Sequence, residues 1–256
     1  MRKLINVWED DAIGRIELNR PHVLNAINRE MVTEIVKSVE AFDRNPNIFV
    51  VVISGAGRAF AAGADIDEMT EDDPVRLEKL DQFAEWDRLR LTRKPVLCAV
   101  HGFALGGGFE LVLSCDVIIA AEGTRFGFPE VKLGVMPGAG GTVKLTKALG
   151  RAKALEWLWS GEHMAAEEAE RFGLINRVVP GELLLEETLA FAENLTRQAP
   201  LSLRLIKDTV NKAIDYSVYE AMQYERKNFY LLFASADQKE GMKAFKEKRP
   251  PKFKGE

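Results

Sequence analysis

The sequence predicts an α/β fold, with a parallel, solenoid-like core followed by a layer of helices. Three observations carry this expectation. Phe49 to Ser54 (F-V-V-V-I-S) is an unbroken β-branched run, the pattern of a strand covered on both faces. A strand leading through a loop of tiny residues into a helix occurs twice, as I-S-G-A-G…A-A-G-A-D and as C-A-V-H-G-F-A-L-G-G-G-F-E. From Thr142 onward the pattern is mainly helical, with Gly150, Gly161 and Gly173 as punctuation. The expected division is a ββα-type core over residues 1–195, which includes the first of these helices, and a helical region over residues 196–256.

Taken in order, Leu4 to Glu9 and Ala12 to Asn19 alternate in polarity around Asp10-Asp11, which predicts a hairpin ended by Arg20-Pro21. Asn28 is placed to cap a helix whose apolar positions Met31, Val32, Ile35, Val36, Val39 and Phe42 recur at helical spacing. Asn45-Pro46-Asn47 stops it, and the β-branched strand follows. After the loop Phe60 to Ile66, one amphipathic helix is predicted over Val75 to Leu91, with Leu80, Phe83 and Trp86 facing inward. Strand Val96 to Val100, a helix from about Phe109 to Cys115 and strand Val117 to Ala121 come next. A further strand is predicted at Ile175 to Val179, then three longer helices, two of them opened by the capping boxes Ser217/Glu220 and Ser235/Gln238. All four tyrosines (Tyr216, Tyr219, Tyr224, Tyr230) fall in this last part, as in a layer that meets another subunit or packs on its own core.

Bulk properties narrow the function. The 256 residues are 46% apolar and 29% charged, ordinary for a folded soluble protein. A net charge of −4 gives no electrostatic grip on nucleic acid or an anionic membrane. Cys98 and Cys115 are the only cysteines, and both lie in apolar surroundings, which reads as free thiols in a reducing cytoplasm. The opening M-R-K-L-I-N-V-W-E-D-D reaches acidic residues too soon for a signal-peptide core. Pro95 to Ala121 is apolar and long enough to suggest a membrane span. Against that stand Pro95, His101, Glu110, Asp116 and the triplet Gly106-Gly107-Gly108, which would cost a lone helix roughly 2–3 kcal/mol.

That segment also holds the chemistry. Glu110 is a carboxylate inside an apolar run, costly to bury unless paired, hydrogen-bonded or neutralised. The three histidines are scattered and no metal-ligand cluster appears. Walker, G-x-G-x-x-G and G-x-S-x-G signatures are absent, which removes the simple phosphoryl, nicotinamide and serine-hydrolase readings. Small residues and carboxylates remain. Ala61 to Ala64 and Gly106 to Gly108 each offer backbone N–H groups, and two such donors converging on one oxygen stabilise an enolate. A carboxyl group beside them can move protons at the carbon next to a carbonyl. Tight strand-to-helix packing for the glycines, and a buried but satisfied glutamate, are the plain alternatives.

F-A-A-G-A-D-I at Phe60 to Ile66, joined with H-G-F-A-L-G-G-G-F-E-L at His101 to Leu111, resembles the crotonase (enoyl-CoA hydratase/isomerase) superfamily. The likeness continues through F-G-F-P-E (Phe126 to Glu130), L-G-V-M-P-G-A-G-G-T (Leu133 to Thr142) and G-M-K-A-F-K-E-K-R-P-P-K-F (Gly241 to Phe253). The resemblance implies a ClpP-like spiral of ββα turns with a C-terminal helical layer, residues 196–256 serving trimerisation, and assembly as a homotrimer or a dimer of trimers. It implies an acyl-CoA substrate, the coenzyme A thioester being the substrate itself, with no covalently bound cofactor; the charge balance and scattered histidines add the expectation of no metal, no nucleic acid and no membrane as partner. The N–H groups of Ala64 and Gly107 would hold the thioester oxygen, and Ala62, Gly63, Asp65 and Ile66 would cradle coenzyme A. Gly138 and Ala139 would complete the pocket wall. Glu110 and Glu130 match the two glutamates of the hydratases, which add water syn to a trans-2-enoyl thioester to give the (3S)-hydroxyacyl product. Glu110 is assigned to activating water and Glu130 to protonating the α-carbon, two roles that are closely coupled.

The chain departs from the family pattern at Asp67 and His22, where many relatives carry lysines near the coenzyme A phosphates. Arg20 and the terminal Lys246, Lys248, Arg249, Lys252 and Lys254 are the candidates to replace them, a solvated basic tail being the alternative. Met69 and Trp86 would line the acyl tunnel, or, for Trp86, pack in the core. Two other readings stay open: Δ3,Δ2-enoyl-CoA isomerisation, needing only Glu130 and the oxyanion donors, and an RNA-binding or scaffolding role, which the acidic balance disfavours.

Overall fold

A computed structural model describes residues 4–256; Met1, Arg2 and Lys3, the start of the segment read for a leader peptide, lie outside the described residues. Strands β1 (Ile5–Asp10) and β2 (Ile13–Leu18) form the predicted antiparallel hairpin, Ile5 opposite Leu18. Helix α1 (Arg29–Arg44) starts where Asn28 accepts a hydrogen bond from the Met31 N–H, and its six predicted apolar positions are all buried. Strand β3 (Val50–Gly55) pairs in parallel with β2, so the chain has made one complete turn of a spiral.

The next stretch differs from expectation. In place of one helix over Val75 to Leu91 there are three short ones: α2 (Ile66–Met69), α3 (Pro74–Leu80) and α4 (Ala84–Leu89). Asp73 accepts from the Val75 and Arg76 N–H groups to start α3, and Asp81 ends it in the left-handed region at φ 42. This break rotates the helical face, so Leu80 and Phe83 are exposed while Trp86 packs against the core. Apolar spacing alone did not register Asp81, because it carries no signal for a residue in the left-handed region, which Asp visits more readily than most side chains.

Strand β4 (Val96–Val100) lies in parallel beside β3. Strand β5 (Phe103–Leu105) leads into α5 (Gly107–Val112), which begins at the glycines rather than at Phe109 and ends before Cys115. Strand β6 (Val117–Ala121) pairs with β4, and β7 (Arg125–Gly127) pairs with β5. Helices α6 (Gly141–Leu149) and α7 (Arg151–Ser160) precede β8 (His163–Ala165), α8 (Ala166–Arg171) and β9 (Arg177–Val179), the last shorter than predicted. Helices α9 (Leu184–Thr196), α10 (Pro200–Ala213), α11 (Val218–Leu232) and α12 (Ala236–Glu247) complete the chain. Ser217 and Glu220 form the reciprocal capping box. At α12 Ser235 accepts from the Gln238 N–H, but the Gln238 side chain turns to Met242 instead of returning.

The strands form two layers. The main sheet runs β1-β2-β3-β4-β6-β9, parallel throughout except for the opening hairpin. The second sheet, β5-β7-β8, was not foreseen, because three-residue strands carry too few alternations to register. Single bridges Ala61↔Ala104 and Ile27↔Ala64 extend it towards the first turn. Each turn of the spiral thus gives a long strand to one layer and a short one to the other. Phe60, Phe109, Phe126, Ile53 and Leu97 are among the side chains buried between and around these layers. Cys98 is buried and Cys115 half-buried, both as free thiols. Among the described residues no helix is long and apolar enough to cross a membrane.

Gly108 marks where α5 meets the second layer: a Cβ there would lie 2.4 Å from the Ala61 carbonyl oxygen and 2.8 Å from its Cβ. Gly108→Ala should therefore lower the urea midpoint, overpacking of this kind costing about 1–3 kcal/mol. An unchanged midpoint would show that α5 can move off the layer freely.

Candidate active site

The second layer and the start of α5 build the site. Ile27 donates its N–H to Gly63 O at 2.8 Å and Asp65 donates its own to Ile27 O at 2.9 Å, so the Ala64 N–H takes no part in that bridge. Gly107, in the first turn of α5, lies alongside: a side chain there would begin 3.7 Å from the Ala64 nitrogen. First-turn N–H groups have no partner within their own helix. Two backbone donors from separate segments thus stand side by side.

Both carboxyls expected from the sequence converge on this place, both buried but differently hydrogen-bonded. Glu110, on the next turn of α5, is 4% exposed, and its Oε1 accepts from the N–H groups of Ala139 at 2.7 Å and Gly141 at 2.8 Å. Its pKa is raised, because burial outweighs those two N–H groups and the Lys144 ammonium, which pull it down. Glu130 sits in a 3₁₀ turn, Pro129–Leu133, directly after β7. Its Oε2 is buried with no hydrogen-bond partner, and burial pushes its pKa up to about 7, with the Glu110 charge adding to the rise. Gly106 (φ 47) leaves room for this carboxyl beside the donors, because a Cβ there would stand 2.8 Å from Glu130 Oε1.

Other sequence-chosen residues take varied places. Gly138 lies against the Phe83 ring, 2.4 Å from where its Cβ would be, so half-exposed Phe83 joins the wall beside Ala139. The Ala62 N–H donates to Leu24 O at 2.9 Å, fixing the start of the 62–66 loop, while Ile66 is exposed and Met69 half-buried on α2. Arg20, expected near phosphate, pairs with Asp65 at 2.9 Å and so braces the 62–66 loop. Arg249 pairs with Glu240 at 2.6 Å and with Glu247 at 2.7 Å. The terminal segment is tied down, the Lys252 N–H reaching Glu240 and the Lys254 N–H reaching buried Asp237. Lys144 and Ser114, behind Glu110, were missed. A lysine within a helix start carries no pattern that marks it as part of a site. Among the described residues no group of His, Cys, Asp and Glu is placed to hold a metal.

The family model described as Enoyl-CoA hydratase/isomerase matches residues 9–256. The chain belongs to that family. A probable enoyl-CoA hydratase of Mycobacterium bovis is 46% identical over 249 residues, 97% of each chain. The 2,3-dehydroadipyl-CoA hydratase of Escherichia coli is 41% identical over 240 residues, 94% of each. A Geobacillus kaustophilus crystal structure described as "Enoyl-CoA Hydrates Subunit I" superposes with a TM-score of 0.97 at 62% identity, covering 99% of both chains. The enoyl-CoA hydratase of Bacillus anthracis superposes with 0.94 at 33% identity. The crotonase-type spiral expected from the motifs is therefore the fold of this enoyl-CoA hydratase/isomerase family enzyme.

Glu130 binds a proton more tightly in the folded chain than in the unfolded one, since its pKa is raised from 4.5 to about 7. Its contribution to stability is full below about pH 4.5 and is lost as pH rises through about 7. Glu130→Gln removes that ionisation, so it should raise the urea midpoint relative to the unaltered chain at pH 8 more than at pH 4. Equal differences at both pH values would mean that Glu130 titrates normally.

Proposed function

We propose that this enzyme is a hydratase of trans-2-enoyl-CoA thioesters, adding water syn across C2–C3 to give the (3S)-3-hydroxyacyl-CoA, and running in reverse as a dehydratase. The single observation that carries the reading is the contrast between the carboxyls. Glu110 is held by two N–H donors that suit an anion, whereas Glu130 has an unpartnered buried oxygen and a pKa of about 7, which suit an acid.

In this reading the thioester oxygen accepts hydrogen bonds from the Ala64 and Gly107 N–H groups, which stabilise negative charge as the enolate forms. Glu110 takes a proton from water as the water oxygen adds to C3. Glu130 gives its proton to C2, and exchange with solvent restores both groups. Syn addition follows if both carboxyls face the same side of the acyl plane. Residues 62–66 would receive coenzyme A, with Met69 beside them, and Trp86 would support the wall from the core. Residues 196–256 would form the trimerisation region of a trimer or dimer of trimers. Tyr219, Tyr230 and Phe245 of this region, at 73%, 68% and 86% exposure, are the aromatic surface available to it.

The test is loss of the conjugated enoyl absorbance of crotonyl-CoA. Glu110→Gln and Glu130→Gln should each lower kcat by about 10²–10⁴-fold, the contribution of a general acid or base. Collapse in Glu130→Gln alone would favour the isomerase reading, and a 3-enoyl thioester would then be the substrate to try. Oxidation of the product by an (S)-specific 3-hydroxyacyl-CoA dehydrogenase checks the stereochemistry. Light scattering should give three or six times the mass of one chain, and a monomer would refute the assembly.

A further inference from the structure

Between α5 and α6 lies a polar clasp whose Lys144 and Ser114 take no part in the hydration scheme above. Lys144, in the first turns of α6, donates from Nζ to Ser114 Oγ at 2.7 Å, and Ser114 Oγ donates to the Glu110 backbone oxygen, also at 2.7 Å. In the other direction the Glu110 carboxylate receives the N–H groups of Ala139 and Gly141 at the entrance to α6. The two helices therefore exchange charges. The anion of α5 lies on the start of α6, and the cation of α6 lies against the end of α5.

A half-buried ammonium that donates to a neutral hydroxyl invites a reason beyond packing. Burial pulls the Lys144 pKa down, and Cys115, Glu110 and Asp87 act to keep it charged, while Arg90 opposes. These are the ionisable groups facing it, Glu110 from α5, Cys115 from the turn after it, Asp87 from α4 and Arg90 from the residue following α4. The influence is one-sided. Glu110 is pulled down by Lys144, whereas the forces on Glu130 are burial, its own N–H and the charge of Glu110.

We propose that Lys144 is a positioning residue that assigns the two carboxyls their different roles: clasped to Ser114, which holds the Glu110 backbone, its ammonium favours the anion at Glu110 while Glu130 carries the proton. This rests on the two-carboxylate hydratase reading, and it makes Lys144 part of the device that prevents both carboxyls from being protonated together. A positive charge near a buried carboxylate lowers its pKa by one to a few units, enough to decide which member of a coupled pair ionises first.

The test compares Lys144→Met, Lys144→Gln and Lys144→Arg. Glutamine can keep the hydrogen bond to Ser114 while dropping the charge, and arginine keeps the charge. With crotonyl-CoA, the acid limb of the kcat–pH profile should move up by about one pH unit in both neutral variants, with KM little changed, and return in Lys144→Arg. Should kcat fall in the neutral variants with the acid limb unmoved, Lys144 is only a packing clasp and the proposal is overturned. A readout independent of turnover separates this outcome from failure of the hydratase reading. In a Glu130→Gln background, the part of the protonated-carboxyl infrared titration that is lost on adding Glu110→Gln follows Glu110, and adding Lys144→Gln should raise its midpoint. An unmoved midpoint would overturn the proposal even if crotonyl-CoA proved not to be a substrate.

Discussion

The hydrogen bonds from Ala139 and Gly141 to Glu110 hold the centre of this structure together. A carboxyl group 4% exposed in an apolar segment is tolerable only if its charge is met by donors, and this segment supplies no cationic partner in direct contact. The donors come from a glycine-rich loop 29 and 31 residues further along the chain. That loop must approach closely, which explains its small residues, and its approach brings α6 against α5. The wall of the site, the entrance to α6 and the Lys144–Ser114 clasp follow from satisfying this one group.

A second constraint is the two-layer spiral. The long parallel strands of the main sheet use their backbone groups on one another, as a buried parallel sheet must. The second layer is built of short strands and single bridges, so some of its N–H groups escape pairing, that of Ala64 beside Gly107 among them. Stability and a usable site are thereby assigned to different layers. Bracing comes from residues without a catalytic part. Asn25, fully buried, donates to Ala56 O and Ala59 O at 2.8 Å each and accepts from the Arg20 N–H, and Arg20 in turn holds Asp65. Arg20 thus acts as a strut for the 62–66 loop.

Much of this was legible in the sequence because its physics is local. The α1 stripe from Met31 to Phe42, the Asn28 and Ser217 caps and the β-branched run of β3 each depend on neighbours a few residues away. The anomaly of Glu110 was equally visible, as were the small-residue segments that carry the donors. The misses also share a cause. Strands β5, β7 and β8 are three residues each, so only pairing partners far along the chain define them. The split at Asp81 depends on a left-handed backbone that apolar spacing does not encode.

By itself, then, the sequence determined an α/β core with a helical end and an anomalous Glu110, and its resemblance to the crotonase family named Glu110, Glu130, Ala64 and Gly107 as one group. Only the tertiary structure decided that the two glutamates differ, because hydrogen bonding and burial at a carboxyl depend on groups brought up by distant turns of the chain. Glu110 meets two N–H donors there and Glu130 meets none at its Oε2. For the same reason the sequence left Lys144 unremarkable, since its importance lies in facing Ser114 across two helices rather than in any neighbour along the chain.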